Sequence, residues 1–189
     1  METLSVDTSK TWTAEEYLQL EENPNQQLLN GHLIMSPSPS RFHQKISILL
    51  SSTFLNFAKM NGDEVYAAPI DVHLDQKNVP QPDLVYILKD NLNKLSQRGI
   101  EGAPDLIVEI ISPANSYLDR YEKKDLYRQF KVKEYWIVDP GNLTLEIYQL
   151  VREEYKLAQY LVGKGKITSP LLQDFSLHLE SVFEDKRVS

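Results

Sequence analysis

The sequence predicts an α/β protein with a mixed central β-sheet flanked by helices and carrying additional β-hairpins. Residues 106–111, LIVEII, form a run rich in β-branched side chains between Ala103-Pro104-Asp105 and Ser112-Pro113, the pattern of a central strand covered on both faces. Apolar residues recur at helical spacing over 42–60, and short alternating runs lie on either side of both segments. A chain of 189 residues with 41% hydrophobic content is long enough for one domain with a real core. The expected division is a tail over 1–12, one domain over 13–183 and a second tail over 184–189.

Thr13 before Ala14-Glu15-Glu16 predicts a capped helix start, with Tyr17, Leu18 and Leu20 as its apolar side and a stop at Asn23-Pro24. Residues 28–35 predict a hairpin about Asn30-Gly31, and Pro37 and Pro39 then break the chain. Phe42, Ile46, Leu49, Leu50, Phe57 and Met60 predict a long helix closed by Asn61-Gly62. Strands follow over 65–69, 70–74 and 83–88, then a short helix over 91–98. Beyond the central strand the pattern gives a helix over 119–130, a strand over 134–138, and a hairpin from 144–150 and 155–161. Residues 167–183 carry no sharp signal, and Gly163-Lys164-Gly165 lacks phosphate-loop spacing and reads as a turn.

Composition narrows the chemistry. With no cysteine there is no disulfide framework, thiolate zinc site or cysteine nucleophile, so any metal is held by oxygen or imidazole. His32, His73 and His178 show no zinc-ligand spacing. A net charge of -7 argues against a generally basic nucleic-acid coat. The first twelve residues lack signal-peptide character and no run reaches the ~20 apolar residues of a membrane span, so a soluble, cytoplasmic protein without a membrane partner is expected.

Glu109 interrupts the central apolar run, and an ionised carboxylate buried without compensation costs several kcal/mol. A metal, a cation or a proton must accompany it. Asp83 heads a neighbouring strand, and two such carboxylates, with a backbone carbonyl such as that of Ile110, suit Mg²⁺ or Mn²⁺. At about 100° per residue, Asp119 and Lys123 share the face of Leu126, Tyr127 and Phe130, whereas Arg120, Lys124, Arg128 and Lys131 point elsewhere. An inward lysine beside two acids and a divalent ion is the equipment of metal-assisted phosphodiester hydrolysis.

Four motifs in order, Pro82-Asp83, residues 103–113 (APDLIVEIISP), Asp119-Arg120-Tyr121-Glu122-Lys123 and residues 134–140 (EYWIVDP), resemble the uncharacterised putative restriction endonuclease family, domain of unknown function 820, of the PD-(D/E)XK nuclease superfamily. The resemblance spans residues 13–183. It implies a restriction endonuclease-like core, Asp83 and Glu109 as Mg²⁺ ligands, DNA as substrate and a homodimer. The superfamily lysine belongs two residues after the acid, where this chain has Ile111; the resemblance implies that Lys123 on the following helix replaces it. Relatives tend to be acidic at the positions of Gln27, Asn30 and His32, and Gln27 can accept a hydrogen bond but supplies no charge.

Each residue also has a plainer role. Asp83 after a proline suits the capping of backbone donors, and Glu109 with Lys123 suits a buried structural ion pair. Asp105 stands on the face of Glu109 and is an alternative ligand, although Ala103-Pro104 favours a turn into the strand. His43, at the edge of the long helix's apolar face, suits a phosphate or metal-water contact or simple packing. Arg120, Lys124, Arg128, Lys131 and Lys133 form a basic run, either a solvated face or a phosphate contact. The expected function is an Mg²⁺-dependent endonuclease acting on DNA; the alternative is a weak or inactive nuclease-fold protein acting as a binding or regulatory homodimer. The hairpin over 144–161 offers a sheet edge for pairing.

Overall fold

Thr13 opens the first helix with a reciprocal cap: its side chain accepts the Glu16 N–H, and the Glu16 carboxylate accepts the Thr13 N–H at 2.9 Å. The computed structural model describes residues 5–7, 10–20 and 25–184. Strand β1 (Ser5–Asp7) precedes helix α1 (Ala14–Tyr17), so part of the segment expected as a tail is paired in a sheet. The expected stop at Asn23-Pro24 lies outside the described residues.

Strands β2 (Gln26–Leu29) and β3 (His32–Met35) form the hairpin expected from Asn-Gly, with Asn30 at φ 51° and Gly31 at φ 77°. Gly31 is required twice over, because a Cβ there would lie 2.6 Å from the Thr11 side chain. Helix α2 (Arg41–Asn61) is capped by Ser40 and ends at Gly62 in the left-handed conformation. His43, Ile46, Leu50, Phe54 and Ala58 make its buried stripe, while Met60, placed by periodicity on the apolar side, is exposed in the last turn.

Strands β4 (Glu64–Ala67), β5 (Val72–His73) and β6 (Leu84–Ile87) follow as expected. The helix expected over 91–98 is instead a 3-10 turn (Lys89–Lys94) running into a small hairpin, β7 (Leu95–Ser96) and β8 (Gly99–Glu101). The reason is tertiary: β8 pairs with β5, and Gly99 sits so close to Asp71 that a Cβ would meet its carbonyl oxygen at 2.3 Å.

Strand β9 (Leu106–Ile110) lies at the centre, antiparallel to β6 and parallel to β10 (Glu134–Asp139). Between β9 and β10 the expected regular helix is a π-helical segment (Leu118–Lys123) continuing into α3 (Lys124–Gln129). Strands β11 (Thr144–Val151) and β12 (Glu154–Val162) form the expected hairpin. The mixed six-stranded sheet has the order β12-β11-β10-β9-β6-β4. Gly163 and Gly165 turn the chain into β13 (Lys166–Thr168), β14 (Ser176–His178) and α4 (Leu179–Val182), structure that the pattern over 167–183 did not announce.

Alternation along the strands divides two cores. Leu106, Val108 and Ile110 face α2 and the tail, with Leu50, Phe54, Trp136, Phe175 and Phe183. Ile107 and Ile111 face α3, with Val85, Ile87, Tyr127, Tyr135 and Ile137. Each fully buried large apolar side chain contributes about 1.5–3 kcal/mol, so covering both faces is what holds β9 at the centre. Glu134, on the tail's side, accepts the Trp136 indole N–H and the Leu171 N–H and thereby ties the tail to β10.

Candidate active site

Glu109 shares the parity of Ile107 and Ile111, so its side chain enters the α3-facing core. It is 3% exposed, and its Oε1 accepts from Lys123 Nζ at 2.9 Å and from the Tyr127 hydroxyl at 2.7 Å. Lys123 Nζ also lies 3.6 Å from Asp119 Oδ1. The Asp119 main-chain carbonyl accepts the Tyr135 hydroxyl at 2.9 Å. The wide turn of the π-helical segment thus carries two charged side chains into the core on one side.

Asp83 directly precedes β6. Leu84 is opposite Val108, so one further residue of register sets Asp83 opposite Glu109. Its Oδ2 accepts the Ile110 N–H at 2.7 Å, which caps a backbone donor beyond the end of β6. Its Oδ1 lies 3.3 Å from His43 Nε2, delivered from the first turn of α2 around the end of the sheet. The strand-end role and a place in the cluster therefore coexist in one side chain.

The electrostatics are those of three carboxylates against two cations. Burial, reinforced by Asp119 and Asp83, pushes Glu109 up to about 8 in spite of Lys123. Burial also pushes Asp119 up to about 6, with Asp83 adding to it and Lys123 opposing. Lys123 remains a cation: burial disfavours its charge, but Glu109 and Asp119 outweigh that and raise its pKa. Burial likewise disfavours a charged His43, yet Asp83, the Ile110 carbonyl and Glu109 raise its pKa above the ordinary value. Burial is the main cause of both raised values, with carboxylate–carboxylate repulsion adding to it. A divalent ion would relieve that repulsion, and the candidate donors are hard oxygens: Asp83, Glu109, Asp119 Oδ1, which is buried and has no hydrogen-bond partner, and the Ile110 carbonyl, which His43 also engages. Oxygen donors of this kind are the type that Mg²⁺ and Mn²⁺ take. Among the described residues, no group of three or more His, Cys, Asp and Glu side chains is already arranged as a metal cage, so main-chain oxygen and water would complete the shell.

The other candidates separate from this cluster. Gln27 is buried on β2, and its amide oxygen accepts the Gln81 N–H at 3.4 Å. No hydrogen bond among the described residues links it to Asp83, Glu109 or Lys123. Asp105 is a turn residue: its carboxylate accepts from Leu88 N at 3.0 Å and Asn91 Nδ2 at 2.8 Å, and lies 2.8 Å from Lys133 Nζ. Lys124 is not a solvated charge, since its Nζ lies 3.5 Å from the Tyr148 ring centroid. Tyr127 entered the sequence reading only on the apolar face of its helix and Tyr135 only within the motif of residues 134–140, although their hydroxyls bond within the cluster. The available signal for Tyr127 was its place four residues after Lys123 on the same face.

Known proteins agree with this architecture. Residues 14–180 match the family model Uma2, described as putative restriction endonuclease. One uncharacterized protein of Synechocystis sp. is 26% identical over 165 residues, covering 85% of this chain and 93% of its own length. A second from the same organism is 28% identical over 138 residues, covering 71% and 72%. A crystal structure described as a putative nuclease belonging to DUF820, from Anabaena variabilis, superposes with a TM-score of 0.76 at 19% identity over 91% of this chain and 97% of that one. At that identity the superposition establishes the fold alone. With the family model matched from α1 to α4, the chain belongs to the Uma2 family of putative restriction endonucleases.

Proposed function

We propose that this protein is an Mg²⁺-dependent endonuclease that hydrolyses DNA phosphodiester bonds. The carrying observation is the contact of Lys123 with Glu109 at 2.9 Å, beside an Asp83 that grips the Ile110 N–H at 2.7 Å. In this reading Asp83, Glu109 and the Ile110 carbonyl would hold the ion, which when bound would supply Lewis acidity to the phosphate and lower the pKa of the attacking water. Lys123 orients that water and offsets charge that develops as the new P–O bond forms and the bond to the leaving sugar oxygen breaks. Tyr127 fixes the Glu109 rotamer, and Asp119 fixes Lys123. His43 and Gln27 are accessory: His43 holds Asp83 from the α2 side, and Gln27 buttresses the chain two residues ahead of it.

The test is incubation of purified protein with supercoiled and linear DNA in Mg²⁺ or Mn²⁺, alongside Asp83→Asn, Glu109→Gln and Lys123→Ala. Cleavage by the native protein that is lost in all three variants supports the assignment; cleavage unchanged in all three removes it.

A second reading is a binding or regulatory homodimer that keeps the cluster for stability. It is favoured by His43, which already sits on Asp83, and by the edge strand β12, where Leu157, Tyr160 and Val162 are exposed. Calorimetry separates the two readings. An active site binds Mn²⁺ and loses it in Glu109→Gln, whereas a purely structural cluster binds none.

A further inference from the structure

Tyr117 and Tyr121 are the large aromatic side chains that the π-helical region turns outward, 67% and 62% exposed, with ring centroids 5.0 Å apart. Asp119 and Lys123, on the other side of the same turn, are 3% and 2% exposed. The rings therefore stand back to back with the acid–lysine cluster across one helix, about 10–12 Å with side chains, a reach of a few nucleotides. The loop leading into this turn is tied to the rim of the β3–α2 connection by a hydrogen bond of 3.2 Å from Asn115 to Ser36.

The cations over residues 120–133 are already committed. Arg120 pairs with Asp139 and Glu146, Lys123 with Glu109 and Asp119, Arg128 with Asp125 and Glu154, Lys131 with Glu153, and Lys133 with Asp105, while Lys124 covers Tyr148. Each cation of the basic run that the sequence offered as a phosphate-binding face thus has a partner within the protein, an acid for all but Lys124. Duplex binding draws most of its affinity from phosphate neutralisation, which an acidic chain of net charge -7 with its local cations engaged is poorly equipped to supply. Aromatic faces bind bases without needing charge, but only bases that are out of a duplex stack.

We propose that Tyr117 and Tyr121 form a stacking platform for unpaired bases, and that the preferred substrate is single-stranded DNA or a single-stranded branch rather than continuous duplex. The proposal rests on the nuclease reading, since the platform takes its meaning from its place across the helix from Glu109 and Lys123. Two exposed rings four residues apart also support their own turn, so the test must separate binding from folding.

Fluorescence anisotropy with a labelled single-stranded 20-mer and its duplex, in the cleavage-silenced Glu109→Gln background, reads binding; cleavage of single-stranded, flapped and duplex DNA by the native protein reads activity. The expected result is tighter binding of the single strand. Removing both rings in Tyr117→Ala/Tyr121→Ala weakens that binding by about fivefold to a hundredfold per stacked base, and Tyr117→Phe/Tyr121→Phe retains it. Equal single-strand affinity with and without the rings overturns the platform, as does a preference for duplex. A lowered melting temperature with unchanged binding overturns it too, leaving the rings a purely local role. Metal-dependent duplex cleavage that is lost in Glu109→Gln but indifferent to the rings sinks the platform and leaves the nuclease reading standing. Ring-dependent single-strand binding by a protein that cuts nothing does the reverse.

Discussion

Lys123 and Glu109 meet at 2.9 Å with neither side chain more than 4% exposed, an ion pair enclosed within the α3-facing core. Removing one partner leaves the other charge without compensation. Lys123→Ala is therefore expected to cost about 3–5 kcal/mol of stability, whereas the apolar double replacement Lys123→Met/Glu109→Leu recovers most of that loss. Urea denaturation of the three proteins checks this; equal loss in single and double variants would mean that the two side chains are not energetically coupled.

Tyr127 offers a finer probe of Glu109, because Tyr127→Phe removes a single hydrogen bond of 2.7 Å and almost no volume. Hydrogen bonds to charged groups contribute about 1.5–3 kcal/mol. If that contribution is spent on holding the carboxylate in its working geometry, kcat for DNA cleavage falls about tenfold or more while KM changes little. A loss confined to thermal stability would make Tyr127 a packing residue only.

Acidity should act on the metal-free protein in a definite direction. Glu109 and Asp119 have pKa values raised in the fold to about 8 and about 6, and that of His43 is raised as well. A raised group stabilises the fold most below its unfolded pKa, and the contribution disappears as pH climbs through the folded value. The melting temperature without divalent ions should therefore drop between pH 5 and pH 8.5. Mn²⁺ should restore more of it at the alkaline end, where it no longer competes with protons. A melting temperature that rises across this window would contradict the charge assignment.

Salt offers a test of the committed cations. A protein making six to ten phosphate contacts loses about 10³–10⁵ in affinity between 50 and 200 mM salt. With Arg120, Arg128 and Lys131 paired internally, DNA binding here should weaken by less than about tenfold over the same range, and Arg120→Ala should leave that slope unaltered. A steep slope that flattens in Arg120→Ala would instead identify that guanidinium as a phosphate contact.

The readily legible parts of the fold were those written in local chemistry. The Thr13 cap, the Asn30-Gly31 hairpin, the long helix ending at Gly62 and the central run around Glu109 each depend on neighbouring residues alone. Legibility fell where distant partners decide. Residues 95–101 extend because β8 finds β5, and the tail takes shape because Phe175 and Phe183 fill a core begun more than a hundred residues earlier. The inward faces of Asp119 and Lys123 followed from spacing, and the burial of both, with Lys123 between Glu109 and Asp119, agrees with it. The π-helical geometry left no mark in the apolar pattern. Asp83 was readable as a strand-end acid, but its bond to Ile110 N–H depends on a register that only the assembled sheet defines. The basic run misled because Arg120, Lys131 and Lys133 are answered from β10, β11 or a turn, at positions remote in the chain.

The widened turn at Leu118–Lys123 accommodates an additional residue in its circuit relative to ordinary helical winding. Excising one residue from it would let the coil tighten and swing everything before Lys123 by roughly 100° about the axis. Asp119 would leave the interior while the lysine kept its seat. A one-residue deletion could thus uncouple the acid from its ammonium without touching either, making the length of this loop of helix as much a part of the reaction centre as the charges it carries.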